Sequence, residues 1–162
     1  ILCAALVGSL VAFLWFNKTP ARIFMGDTGS MLIGFIMALL AIKFIESIRI
    51  LPRSHPYKIL SVPVFTCAIL VVPLFDTLRV FIIRMWNKRS PFSPDRNHVH
   101  HLLVHLGLSH LKATACLALF NLAMIFLIFF LQGVKGELLL ALLILIPLIL
   151  VTLLDRKRDA LK

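Results

Sequence analysis

Apolar stretches alternate with polar connections along the whole chain. The apolar stretches are 1–16, 30–45, 59–85, 113–132 and 137–154, and the connections are 17–29, 46–58, 86–112 and 133–136. Such long runs with almost no charge have the pattern of membrane-spanning helices. Residues 1–16 are the short case. As a helix they rise about 24 Å, less than a hydrocarbon core of about 30 Å, and they read as the tail of a helix cut by the start of the chain. The connection 133–136 is a tight turn flanked by Gly133 and Gly136, which predicts a helical hairpin on either side of it. Pro63 and Pro73 predict bends in the third stretch. The expected fold is all-α: a polytopic helical membrane protein with about five transmembrane helices, forming a single domain over 1–162.

The connection 86–112 carries a further element. Ser93 followed by Pro94 is a helix start, and Gly107 is a stop. A helix over 94–106 places Val99, Leu102, Leu103 and Leu106 on one stripe. It places His98, His101 and His105 on the next, at i, i+3 and i+7. This predicts an amphipathic helix at the membrane surface with imidazoles on its polar side.

Composition agrees with this picture. Hydrophobic residues make up 60% of the chain, above the half expected of a soluble domain, and the mean hydropathy is +1.00. The net charge of +10 does not point to nucleic acid, because the basic residues gather at the ends of apolar stretches. They are also unequally shared. Twelve lie in 17–29, around 79–112 and in the C-terminal tail, and five lie on the opposite side. The positive-inside rule therefore places 17–29, 86–112 and the tail in the cytoplasm. Cys3, Cys67 and Cys116 lie in apolar stretches without metal-ligand spacing, and read as small buried hydrophobes.

Candidate chemistry concentrates in the two cytoplasmic connections. In the first, Gly26 and Gly29 bracket Asp27 just before the second helix. Asp27 is either the N-cap of that helix or a hard carboxylate ligand for Mg²⁺ bound with phosphates. Phe24 reads as an interface aromatic. In the second, His98, His100 and His101 stand among Arg84, Lys88, Arg89 and Arg96. They form a zinc site, a solvated surface, or an anion site, and the dense positive charge favours the anion. Asp76, within the third stretch, needs a partner. Arg79 at i+3 is the nearest candidate, as a structural ion pair, and the other reading makes Asp76 a second acidic group facing the site.

The segments Asn17…Pro20-Ala21…Phe24-Met25-Gly26-Asp27-Thr28-Gly29-Ser30 and Ser90-Pro91-Phe92-Ser93-Pro94-Asp95-Arg96-Asn97-His98-Val99-His100-His101, with Pro73-Leu74-Phe75-Asp76 between them, resemble the polyprenyl-phosphate N-acetylhexosamine-1-phosphate transferase family. The branch resembled makes polyprenyl-diphospho-N-acetylglucosamine. The resemblance implies Asp27 as a catalytic, Mg²⁺-associated aspartate, with Mn²⁺ as a substitute metal. It implies uridine contacts from Asn17 and Phe24. It implies that His98 and Arg84 act in nucleotide-sugar recognition or catalysis, with Arg96, His100 and His101 beside them on the substrate. The implied partners are a UDP-N-acetylhexosamine, a polyprenyl phosphate, the bilayer and a second copy of the chain. The implied place is a bacterial inner membrane with its active face cytoplasmic.

The family's Asp-Asp motif is not in this sequence, and the chain resembles the C-terminal half of a larger bundle. The expectation is that these residues alone do not catalyse. That gap leaves a non-catalytic membrane scaffold or degenerate paralogue as the alternative, and the histidines leave a third class, a histidine-rich metal transporter.

Overall fold

The computed structural model describes residues 1–18, 20–90 and 98–160. These residues form seven helices: α1 Leu2–Asn17, α2 Gly26–Ile50, α3 Val62–Ile69, α4 Val71–Trp86, α5 Val99–His105, α6 His110–Phe130 and α7 Gly136–Asp159. Three of them, α2, α6 and α7, are long and apolar enough to cross a membrane, and the pair α3–α4 makes a fourth span if it is counted as one. The chain is an all-α membrane protein. It divides into two compact units, Ile1–Lys43 and Phe44–Lys162.

The first unit holds α1 and most of α2. Neither helix has a buried residue. Their apolar side chains, such as Trp15, Met31 and Phe35, are exposed, as a lipid-facing or partner-facing surface would be.

The second unit is organised by α6 and α7. A short turn over 131–135 joins them as the expected pair, but α3 and α5 pack against both, and α6 does not pack closely on α7. The third apolar stretch departs from expectation: it is broken rather than curved. α3 and α4 meet at 79°, with Leu70 serving as C-cap of one and N-cap of the other. Pro63 and Pro73 each sit in the first turn of a helix rather than in a helix interior. That placement follows from proline chemistry, since a first-turn residue needs no N–H partner and the ring would strike the carbonyl four residues back. For Pro73 that carbonyl belongs to Ile69, where α3 ends.

A broken helix among apolar neighbours leaves backbone groups without partners. Asn121, midway along α6, supplies both. Its Nδ2 donates to Ile69 O at 3.1 Å, and its Oδ1 accepts from Val72 N–H at 3.4 Å. Gln132 repeats the device at the other end of α3, accepting from Leu60 N–H at 3.1 Å. Around the break packs a core of Ala68, Val71, Met124, Ile128, Leu139 and Leu143.

A second core lies at the far end of the pair. It joins Val99, Leu102 and Leu103 of α5 to Ala113 of α6 and Val151 of α7. The expected helix over 94–106 is thus corrected at its start. α5 begins at Val99, and His98 is extended at φ −65°, ψ 147°; residues 93–97 lie outside the described residues. The expected placement is corrected as well, because the apolar stripe of α5 is buried against α6 and α7 instead of facing a bilayer. The cysteines also differ from expectation. Cys3 and Cys116 are exposed, and Cys67 is half-buried against the core around Ala68 and Val71.

Replacing Asn121 with leucine keeps the branched shape and removes both amide bonds. Asn121→Leu is expected to lower the unfolding free energy in detergent by about 1–2 kcal/mol. A thermal midpoint equal to that of the unsubstituted protein contradicts the clasp.

Candidate active site

In the first unit, Asn17 closes α1 and folds back on the loop, its Nδ2 donating to Ile23 O at 2.9 Å. The loop then enters α2 through Gly26, whose φ of +66° suits a residue without Cβ. Asp27 follows inside the first turn of α2. This corrects the N-cap alternative, for Asp27 lies one residue inside the helix, where its charge faces the positive end of the dipole. Its backbone carbonyl accepts from Ser30 Oγ at 2.9 Å. Its carboxylate is exposed, and among the described residues nothing hydrogen-bonds it.

Phe24 is 85% exposed, with its ring free to meet a ligand. Beneath it, Phe24, Met25 and Gly29 line a cavity of about 390 Å³ with Leu6, Phe13 and Ile33.

In the second unit, α4 sends Asp76 and Arg79 to different partners. The expected Asp76–Arg79 pair is corrected. Arg79 Nη2 lies 2.7 Å from Asp155 Oδ2 on α7. The other oxygen of that carboxylate, Oδ1, is 3.2 Å from Arg158 Nη1, near enough for attraction but not aligned as a hydrogen bond. Asp76 meets the start of α5 instead. Its Oδ2 is 2.9 Å from His98 Nδ1, and its Oδ1 accepts from Val99 N–H at 3.0 Å. One carboxylate thus holds both a side chain and the first free amide of α5, whose own N-cap side chain makes no capping bond.

Arg84 occupies the last turn of α4. It is 9% exposed and partnered. After it the chain turns sharply through Lys88, which takes a left-handed φ of 56°. Arg89 N–H donates to Arg84 O at 2.8 Å and Lys88 N–H to Met85 O at 3.0 Å, a Schellman closure with lysine where glycine is usual. A non-glycine residue there costs about 1–2 kcal/mol. Arg96 lies outside the described residues.

His100, His101 and His110 form a group of their own. His100 Nε2 is 3.1 Å from His110 Nδ1, and their rings stack at 5.4 Å. His101 meets His100 edge-on at 5.8 Å. His110, at the start of α6, falls after the helix stop at Gly107, so the sequence pattern does not join it to the other two. Among the described residues, no group of three or more His, Cys, Asp or Glu is arranged to hold a metal ion, so the zinc alternative gains no support.

His100 titrates below the ordinary histidine value. Burial is the main cause, and the neighbouring His110 and His101 act in the same direction, partly opposed by Asp76. A 3.1 Å contact between two ring nitrogens also requires one of them to lack a proton. Below the ordinary value the unfolded chain therefore binds more protons than the folded one. This contribution to stability is complete above that value and is lost as pH falls through the lowered one. The thermal midpoint is expected to drop between about pH 7.5 and about pH 5.5, with a smaller drop in His100→Gln. Equal drops in the two proteins contradict the assignment.

Comparison with known proteins places these segments. Residues 1–45 match the model of glycosyl transferase family 4. The chain is 38% identical over 109 residues to a probable undecaprenyl-phosphate N-acetylglucosaminyl 1-phosphate transferase of Bacillus subtilis, covering 67% of this chain and 28% of that protein. It is 36% identical over 115 residues to a decaprenyl-phosphate N-acetylglucosaminephosphotransferase of Mycolicibacterium smegmatis, covering 70% and 28%. It is 30% identical over 121 residues to an undecaprenyl-phosphate alpha-N-acetylglucosaminyl 1-phosphate transferase of Escherichia coli, covering 72% and 30%. The matched stretch spans less than a third of the length of these relatives. No solved structure matches. With the Gly26-Asp27 turn and the His98-Val99-His100-His101 segment, these matches show that the chain belongs to the glycosyl transferase family 4 group of polyprenyl-phosphate N-acetylhexosamine-1-phosphate transferases.

Proposed function

We propose that the whole protein transfers N-acetylglucosamine-1-phosphate, or a related N-acetylhexosamine-1-phosphate, from a UDP-sugar to polyprenyl phosphate. The products are polyprenyl-diphospho-sugar and UMP, at the cytoplasmic face of a bacterial inner membrane. An oxygen of the lipid phosphate bonds to the β-phosphorus of the donor, and the bond from that phosphorus to the bridging oxygen breaks. UMP leaves with the electron pair. The observation that carries this reading is Asp27: an exposed carboxylate in the first turn of α2, directly after Gly26 at φ +66°.

Asp27 fits a divalent cation. Mg²⁺ takes hard oxygens, commonly from one or two carboxylates with the rest from substrate phosphates and water. A lone exposed carboxylate supplies one such ligand. Bound there, Mg²⁺ would neutralise the charge that develops on the departing phosphate.

The other residues act by binding and orientation. The α2 amides and dipole face an anion beside Asp27. Phe24 offers its exposed ring to the uracil, and Asn17 holds the loop that carries it. Arg84, His100 and His101 belong to the phosphates and sugar of the donor, for which guanidinium and imidazole are suited donors, and His98 is the catalytic histidine beside them, with a ring nitrogen to take the proton of the attacking lipid phosphate.

In the full-length enzyme, Asp27→Asn is expected to cut UMP release by about 10²-fold or more while the protein stays folded in the membrane. Turnover near the unsubstituted rate would return Asp27 to a purely structural role. Arg84→Ala is expected to raise KM for the UDP-sugar about tenfold or more, with a smaller change for the lipid. A defect confined to the lipid would remove Arg84 from the donor site.

A further inference from the structure

We infer that Asp76 is a positioning residue for His98, holding its proton on Nδ1 so that Nε2 is the nitrogen presented to substrate. The inference rests on the proposed reaction for its consequence, and on the geometry of α4 and α5 for its substance.

Asp76 Oδ2 is 2.9 Å from His98 Nδ1. A carboxylate only accepts, so the ring nitrogen facing it must carry the proton. In the neutral imidazole the lone pair then lies on Nε2. Two features keep the carboxylate in place. Its second oxygen accepts from Val99 N–H at 3.0 Å, which ties it to the backbone one residue after the ring it orients. Its i+3 neighbour Arg79 is drawn to Asp155 on α7 at 2.7 Å. The Asp76 side chain is 18% exposed, whereas that of His98 is 41% exposed. The acid is enclosed while the imidazole it holds remains accessible. Asp–His pairs of this form fix tautomer and ring angle in general acid–base catalysis, and the carboxylate does this without touching substrate.

The amide variant makes the idea testable. Val99 N–H can only donate, so in Asp76→Asn the amide oxygen must face it. The amide NH₂ is then left facing His98 Nδ1, which must become the acceptor. The ring proton moves to Nε2, and the nitrogen presented to substrate loses its lone pair.

The test uses the full-length enzyme in nanodiscs with ¹⁵N-labelled histidine, the His98 signals being assigned by their absence in His98→Gln. At about pH 8.5, where imidazoles are neutral, the unsubstituted protein is expected to carry the His98 proton on Nδ1 and Asp76→Asn to carry it on Nε2. The kcat of Asp76→Asn is expected to fall about 10²-fold or more, with KM for the UDP-sugar changing less than about threefold. In a His98→Gln background, Asp76→Asn is expected to add little further loss, because the two act as one unit.

A His98 proton on Nε2 in the unsubstituted protein overturns the inference. So does a tautomer switch with kcat unchanged, or full additivity of the two substitutions. The tautomer is read without turnover, so failure of the proposed reaction shows separately, as absence of UMP release from the unsubstituted enzyme.

Discussion

The second unit depends on one side-chain amide. A span broken at 79° exposes a carbonyl and an N–H in surroundings that offer no water, and Asn121 answers both from the middle of α6. Without those bonds the break would leave two part-buried polar groups unsatisfied. With them, α3 and α4 run in different directions while remaining fixed to the same helix. The core around Ala68, Val71, Met124 and Ile128 then closes over the joint.

The direction given to α4 has chemical consequences. Its polar residues reach two neighbours instead of pairing with each other. Arg79 is tied to Asp155 on α7, and Asp76 to His98 and the first amide of α5. α5 is therefore anchored at its start by a carboxylate and along its length by Val99, Leu102 and Leu103 packed against α6 and α7. The histidine segment belongs to the bundle, not to a mobile surface strand, and its rings are set by the same helices that build the core. Preorganisation of this kind is what a site for phosphoryl transfer needs, since most of its work is placing and stabilising charge.

Much of this was legible in the sequence, and the exceptions have physical causes. The apolar stretches found the helices, and Gly133 and Gly136 marked the turn between α6 and α7. The motif residues around Asp27 and His98 identified the family. Pro63 and Pro73 signalled a distortion, but periodicity could not distinguish a curve from a break. That choice belongs to Asn121, an amide in an apolar run whose partners periodicity does not reveal. The i+3 spacing on one helix pairs Asp76 with Arg79, whereas the real partners arrive from 22 and 76 residues away. Local spacing says which side chains could meet along a helix, and tertiary packing decides which do. The stripe of α5 was read correctly as apolar, but its pattern alone could not tell lipid from α6 and α7.

The central claim is a transfer of sugar phosphate, and it is tested most directly by the nucleotide released. The full-length protein in nanodiscs containing polyprenyl phosphate, supplied with UDP-N-acetylglucosamine labelled in the sugar and Mg²⁺, should form labelled lipid and UMP in equal amounts. Release of UDP in step with labelled lipid would mean that the sugar alone is transferred, and would contradict the account.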